Sequence, residues 1–220
     1  SKHKEGYEQA IQFFHDTQLG FNNLAIRQKA LTKEMLESLS HVPEGIKKDL
    51  MEEVQKGNVM EALTTHNIKD EDGKVIDEEE FQESTMESEG TKKIIEMSGP
   101  IFDTLIHGEV LLIDELDAKL HPILTRHIVH LFMDPKTNKH KAQLIFNTHD
   151  TNLLNKKNFR RDQIWFVEKD KTDSTDLYSL VEFIDEQGKK VRNDSSYEKD
   201  YINGRYGAIP FIGGLNYGKE

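Results

Sequence analysis

The chain has 220 residues and a formal net charge of −11, which disfavours the broad cationic surface that drives most nucleic-acid binding. It contains no cysteine, so disulfides and thiolate chemistry are excluded and a cytoplasmic protein is predicted. No apolar run approaches the ~18–20 residues that cross a bilayer, so we expect no membrane partner. The charged N-terminus also lacks the apolar stretch of a signal peptide.

The first 59 residues are predicted to form a helical segment or insert, followed by a second division over residues 60–220. Apolar residues recur at helical spacing in residues 1–16, with Gly20 as a stop. Residues 29–57 predict two amphipathic helices, the first marked by Leu31, Met35 and Leu39. This helical pair either projects as an insert or packs within a helical lobe, and the pattern does not separate the two alternatives.

The next stretch predicts a β-hairpin followed by an acidic run. Residues 60–67 and 74–76 flank a turn over residues 70–73. Acids are dense over residues 77–89, and a run of like charges is usually a solvated face. We therefore assign this run to the surface as far as Ser88.

A helix is predicted over residues 91–106, interrupted or kinked at Pro100 and closed by Gly108. Ser88 and Gly90 stand at its start. Free backbone N–H groups and the positive end of the helix dipole favour a phosphate at such a position. An ordinary helix cap by Ser88 is the alternative, and the two roles are compatible.

Residues 110–113 are four consecutive apolar residues that end in Asp114 and Glu115. A continuously apolar strand is typical of a parallel sheet that is buried on both faces. Ligands bind at the carboxyl ends of such strands. We therefore predict that Asp114 holds Mg²⁺ through water and that Glu115 polarises an attacking water.

A helix beginning at Pro122 and ending at residues 134–135 leads to a second buried strand over residues 142–147, which ends close to His149. Residues 163–167 and 177–181 predict a further hairpin, and residues 201–210 a short helix and turn. Within that turn, Arg205 is expected to form a salt bridge inside the chain, or to contact an acidic partner.

The order of these segments resembles the second half of an ATP-binding-cassette ATPase, and in particular the AAA-type ATP-binding proteins of bacterial abortive-infection and phage-defence systems. The resemblance is carried by Glu-Ser-x-Gly-Thr (87–91), Ile-Asp-Glu-Leu-Asp-x-x-Leu-His-Pro (113–122), Gln-Leu-Ile-Phe-x-Thr-His-Asp-x-x-Leu-Leu (143–154) and Gly-Arg-Tyr-Gly-Ala-Ile-Pro (204–210). It implies an α/β fold of the P-loop NTPase type, with parallel core strands and an N-terminal helical segment or insert.

The resemblance also implies roles for individual residues. It makes Glu115 and His149 catalytic, with His149 bonding the γ-phosphate, and it makes Asp114 the Mg²⁺ anchor. It places Ser88, Gly90, Thr91, Asp117 and His121 at ATP in an interface between protomers. The implied partners are a second copy of the chain, in a homodimer or higher homo-oligomer, and a toxic effector such as a nuclease.

A phosphate loop of the form Gly-x₄-Gly-Lys-Ser/Thr does not occur in the sequence. Residues 213–219 fit in part, but Glu220 stands where Ser or Thr is required. The resembling family carries this loop near its N-terminus, so the chain is expected to be a C-terminal portion of a longer ATPase.

Other functions are less well supported. A zinc site at His121, His127 and His130 lacks a completing carboxylate or thiolate at ligand spacing. The basic residues around Lys156 are interpreted as a solvated face. An SMC-like ATPase acting on DNA is the main alternative function, although residues 29–57 are too short for long coiled-coil arms. A nuclease of the OLD type would need an acidic cluster after the ATPase segment, and none is visible.

Overall fold

The computed structural model describes residues 2–28, 43–56, 60–169, 173–185, 188, 190–192 and 196–209. The chain divides into two compact units, Ser1–Leu111 with Pro135–Leu144 and Leu112–Asp134 with Ile145–Glu220. Its mixed α/β content agrees with the predicted class. The boundary predicted after residue 59 remains a prediction, and the helix marked by Leu31, Met35 and Leu39 lies outside the described residues.

The first unit contains a three-stranded antiparallel sheet in the order β1–β2–β3. Helix α1 (Lys2–Thr17) precedes β1 (Asn23–Gln28), and helix α2 (Glu44–Gln55) precedes β2 (Met60–Lys69) and β3 (Val75–Gln82). The hairpin β2–β3 was predicted, but β1 was not. Strand β1 is short and its partner is distant in the sequence, so only the tertiary pairing reveals it.

The acidic run forms much of β3, but the solvated face predicted as far as Ser88 is wrong at Glu87, whose side chain is only 7% exposed. Each residue from 77 to 80 is exposed on the strand. Glu80 forms a two-pronged ion pair with Arg27 of β1, with nitrogen–oxygen distances of 2.8 and 2.6 Å. Both side chains are about half exposed, so this pair contributes at most about 1 kcal/mol to stability.

One turn of helix, α3 (Glu83–Met86), leads into the long helix α4 (Glu89–His107). The predicted helix over residues 91–106 is confirmed, and Pro100 does not split it. Its apolar face is buried, and the ring of Phe102 packs edge-on against Phe13 of α1 with centroids 5.7 Å apart. Gly108 ends the helix in the left-handed conformation at φ 72°, as predicted.

Replacing Gly108 by Ala is expected to lower the free energy of unfolding by roughly 2–5 kcal/mol. A left-handed alanine costs about 1–2 kcal/mol, and overpacking costs about 1–3 kcal/mol. The added Cβ would lie 2.4 Å from the backbone oxygen of His140, which cannot move aside cheaply.

Gly73→Ala is the matched control for this prediction, since Gly73 has φ 80° and an added Cβ meets nothing within 4 Å. It should cost only the conformational part, about 1–2 kcal/mol. Urea unfolding of both variants measures the difference. Equal losses would show that the contact with His140 relaxes without cost.

The second unit contains helix α5 (Pro122–Met133) and the antiparallel hairpin of β6 (Trp165–Lys169) and β7 (Thr175–Ser179). Helix α5 begins and ends where the sequence predicted, with Pro122 in its first turn and Asp134 as its C-cap. Strands β4 (Val110–Ile113) and β5 (Gln143–Phe146) form a two-stranded parallel sheet.

The expectation that this parallel sheet is buried on both faces is wrong for the described part of the chain. Leu112 is 72% exposed and Ile145 is 54% exposed, while Ile113 and Phe146 are half-buried. Side chains alternate across a strand, so one face is partly covered and the other is open. No described element of the second unit covers Leu112 and Ile145.

The last described segment, which includes helix α6 (Tyr197–Ile202), packs on the β6–β7 hairpin through Tyr206, which is 1% exposed. Tyr178 donates to the backbone oxygen of Tyr206 at 2.5 Å. Burial, aided by the charge of Glu168, raises the pKa of Tyr178 to about 12. Arg205 forms ion pairs with Asp200 and Asp185, which agrees with the intramolecular salt bridge predicted for it.

Candidate functional site

Polar groups meet at the carboxyl ends of β4 and β5. Asp114 follows β4, and Asn147 occupies the equivalent place after β5. The side-chain amide of Asn147 donates to Asp114 Oδ1 at 2.5 Å. The backbone N–H of Glu115 donates to Asn147 Oδ1, also at 2.5 Å. The two predicted acids are therefore joined to the second strand through one side chain.

The loop after β4 presents Asp114 and Glu115 to solvent and is anchored by Leu116, which is fully buried. The Glu115 carbonyl accepts from the Ala118 N–H at 3.0 Å. Glu115 itself has φ 49°, a left-handed conformation that is uncommon outside glycine. Five other described non-glycine residues also have a positive φ, so this conformation does not by itself mark a functional site.

The segment that carries His149 is bonded to the same loop. The His149 N–H donates to Asp117 Oδ1 at 3.3 Å, and the side chain of His149 is exposed. Asp150, which follows, caps a single turn of 3₁₀ helix over Thr151–Leu153. Asp114, Glu115, Asp117 and His149 thus belong to one hydrogen-bonded pair of loops, as their place in the sequence suggested.

His121 ends this loop and acts as a helix cap. Its Nδ1 accepts from the Ile123 N–H at 3.2 Å at the start of α5. Both His121 and Asp117 therefore have local roles within the chain. Their predicted contact with ATP across a protomer interface stays a prediction.

Ser88, Gly90 and Thr91 begin helix α4 in the first unit. Ser88 Oγ accepts from the Thr91 N–H at 3.1 Å, so the capping role predicted for Ser88 is present. The two hydroxyl oxygens, Ser88 Oγ and Thr91 Oγ1, lie 2.9 Å apart. Gly90 is the second residue of the helix. The predicted contact of these residues with a nucleotide stays a prediction.

The chain before Ser88 is held by Glu87, which bonds to strand β2. Thr64 donates to Glu87 Oε1 at 2.5 Å, and His66 Nε2 lies 2.7 Å from the same oxygen. Thr64 is fully buried and the Glu87 side chain is 7% exposed. Nearby, burial raises the pKa of the Glu83 carboxyl, and the charge of Glu96 raises it further. The helix start is therefore joined to strand β2 by hydrogen bonds and is locally acidic.

Asp114 fits the role of a water-mediated Mg²⁺ anchor. It is an exposed carboxylate at the end of a strand, and the single hydrogen bond described for it falls on Oδ1. Oxygen ligands combined with several retained waters are what Mg²⁺ prefers. No cluster of three or more His, Asp or Glu side chains able to hold a metal occurs among the described residues, which include His121, His127 and His130.

Asn147 is the functional candidate that the sequence analysis missed. It was an unassigned position within the His149 motif. The available signal was its place directly after a predicted parallel strand, because the carboxyl ends of parallel strands meet at one edge of the sheet. This position places the residue at the sheet edge that carries Asp114, but it does not identify the partner of the amide.

The fold and this site define a mixed α/β domain with an acidic loop at the carboxyl end of parallel strands. A protein-family model described as "AAA domain, putative AbiEii toxin, Type IV TA system" matches residues 9–155, which is more than half of the chain. The chain belongs to this family, which supports an ATPase-type domain of the P-loop class. Such a domain implies use of a nucleotide, typically with Mg²⁺.

No curated protein sequence matches the chain. Within the part of the chain that the structure covers, no helix is both long and apolar enough to cross a membrane.

Proposed function

We propose that the chain is the C-terminal portion of an ATP-hydrolysing domain whose phosphate loop lies outside these 220 residues. The observation that carries this proposal is the hydrogen-bonded union of Asp114, Glu115 and the His149 segment after two parallel strands. Ligands of open α/β sheets bind at this edge. The family match to an AAA domain supports the same function.

Each residue of the loop pair has a distinct task in this proposal. Glu115 takes a proton from the attacking water. The oxygen of that water bonds to the γ-phosphorus, and the bond from the γ-phosphorus to the β–γ bridging oxygen breaks. His149 donates a hydrogen bond to the γ-phosphate and orients it. Asp114 would hold Mg²⁺ through water, and the bound ion would supply positive charge to neutralise the developing phosphate charge.

Assembly would complete the site. Ser88, Gly90 and Thr91 of one protomer would meet ATP bound to the other, because a helix start attracts phosphate. Asp117 and His121 would face the partner in this homodimer or higher homo-oligomer. The net charge of −11 disfavours direct binding of nucleic acid by this chain, because the phosphate backbone is also negatively charged.

The biological role that fits best is control of a toxic effector in a bacterial anti-phage abortive-infection system, within the cytoplasm. The family description names a putative toxin and a type IV toxin–antitoxin system, and this description is consistent with a role in controlling a toxic protein. The effector would be a separate protein, such as a nuclease.

ATP binding tests the proposal directly. The 220 residues alone are expected to bind Mg·ATP weakly, because they lack the backbone N–H groups of a phosphate loop. The expected Kd is above about 1 mM, which corresponds to a binding free energy of no more than about 4 kcal/mol. A longer polypeptide that includes the loop is expected to bind and hydrolyse ATP. Isothermal titration of both proteins measures this. Micromolar binding by the 220 residues would contradict the proposal and point to residues 213–219.

A further inference from the structure

Asn147 makes hydrogen bonds to four consecutive residues of the opposite strand end. Its backbone N–H donates to the Ile113 oxygen at 3.4 Å, and its backbone oxygen accepts from the Leu116 N–H at 3.2 Å. Its side chain donates to Asp114 and accepts from Glu115, each at 2.5 Å. The backbone pair continues the ladder of β4 and β5, whereas the side-chain pair depends on asparagine.

The conformation of Glu115 gives the side-chain pair its importance. A non-glycine residue at φ 49° is held in a sparsely populated region only when its surroundings determine it. The N–H of Glu115 is the group that Asn147 Oδ1 accepts, so the left-handed turn and this bond form together. Losing the bond would leave Glu115 able to rotate away from the position in which its carboxylate is presented.

The amide of Asn147 satisfies both partners of this contact. A carboxylate such as Asp114 can only accept at neutral pH, and a backbone N–H can only donate. A single planar group must therefore offer a donor to one and an acceptor to the other. Aspartate at position 147 would place two carboxylates in contact, and leucine, of nearly the same shape, would satisfy neither group.

A second bond of the same kind lies beside it. Asp117 accepts from the His149 N–H, so each loop contributes a side chain to the backbone of the other. The two loops joined by these bonds carry Asp114 and Glu115 on one side and His149 on the other. Loss of the Asn147 side-chain bonds would loosen Asp114 and Glu115, whereas the bond between Asp117 and His149 would remain.

We propose that Asn147 is a positioning residue for hydrolysis, one that holds the Asp114 carboxylate and the turn at Glu115 in working geometry. This inference rests on the proposed ATPase function. Asn147 acts only through its two neighbours, so its loss should lower kcat and leave nucleotide affinity nearly unchanged.

The test compares Asn147→Leu and Asn147→Asp in the polypeptide that carries the phosphate loop. Both variants are expected to lower kcat by roughly 10–100-fold, as misplaced catalytic groups do. The KM for ATP should stay within about threefold, because the phosphate contacts remain. The amide proton of Glu115 in the 220-residue chain should exchange at least about tenfold faster, since it loses its acceptor.

Asn138→Ala is the matched control, because the Asn138 amide also donates and accepts, here with a single residue four positions along the chain. It donates to the Ala142 oxygen at 2.8 Å and accepts from the Ala142 N–H at 2.7 Å. It should lower thermal stability while kcat and Glu115 exchange stay at parental values. Asn147→Asp is nearly isosteric, so it remains informative if Asn147→Leu fails to fold.

Four outcomes are distinguishable. A lower kcat with unchanged KM and faster Glu115 exchange supports the proposal. Parental kcat in both variants overturns it, as does an equal loss from Asn138→Ala. If the parental polypeptide itself fails to hydrolyse ATP, the proposed function and this inference both fall. In that case altered Glu115 exchange would still identify a purely structural role for Asn147.

Discussion

Replacing Glu115 by Gln in the polypeptide that carries the phosphate loop is expected to slow ATP hydrolysis by ~10²–10⁴-fold, the usual cost of losing a general base. Glutamine keeps the size of the side chain and can retain the turn at φ 49°, because the Asn147 bond is made by the backbone N–H. ATP binding should survive, and ATP-bound dimers should accumulate because the step that releases them is blocked.

Single-turnover hydrolysis and light scattering with ATP measure the two effects together. Glu109→Gln is the matched control, because Glu109 is also exposed and lies directly before β4, at the opposite end of the same strand. It should hydrolyse ATP at the parental rate. Parental hydrolysis by Glu115→Gln would remove Glu115 from the chemistry and leave it as a solvated residue of a tight turn.

Replacing Gly90 by Arg is expected to abolish ATP-driven dimerisation and, with it, hydrolysis. Gly90 is the second residue of α4, next to the capped start at Ser88. An arginine there adds a bulky side chain where the phosphate of a partner's nucleotide is proposed to bind. Nucleotide binding by a single protomer should stay nearly intact, because its phosphate loop is untouched.

The variant should fold, since arginine is favoured over glycine in a helix by nearly 1 kcal/mol. Gly99→Arg is the matched control in the same helix, where the residue is exposed and an added Cβ meets nothing within 4 Å. Light scattering with ATP compares both variants in the Glu115→Gln background, which traps the dimer. Normal dimers from Gly90→Arg would mean that residues 87–91 are only a helix cap.

Several elements could be predicted because their signals are local. Ser88 caps α4 through a bond to Thr91, and Gly108 ends the helix through its own left-handed backbone. Pro122 marks the start of α5 for a similar reason, because its missing N–H is not needed in the first turn. The acids after β4 were also visible, since an apolar run ends abruptly in charge.

The arrangement around those acids was decided by contacts between distant residues. The bonds from Asn147 to Asp114 and Glu115 span 33 and 32 positions of the sequence. An asparagine after a strand has many local uses, and no periodicity identifies its partner. Strand β1 was missed for the same reason, because its ladder with β2 is made entirely with residues beyond position 59.

The sequence by itself therefore determined the α/β class, the starts and ends of α4 and α5, and the residue types available for phosphate chemistry. Only the tertiary structure decided that one amide joins both acids, that Glu115 adopts a left-handed turn, and that Leu112 and Ile145 remain exposed. The physical reason is the range of the interactions. Caps and turns act within about four residues. A side-chain bridge between parallel strands, such as that of Asn147, exists only once the chain has crossed over and the strands have paired.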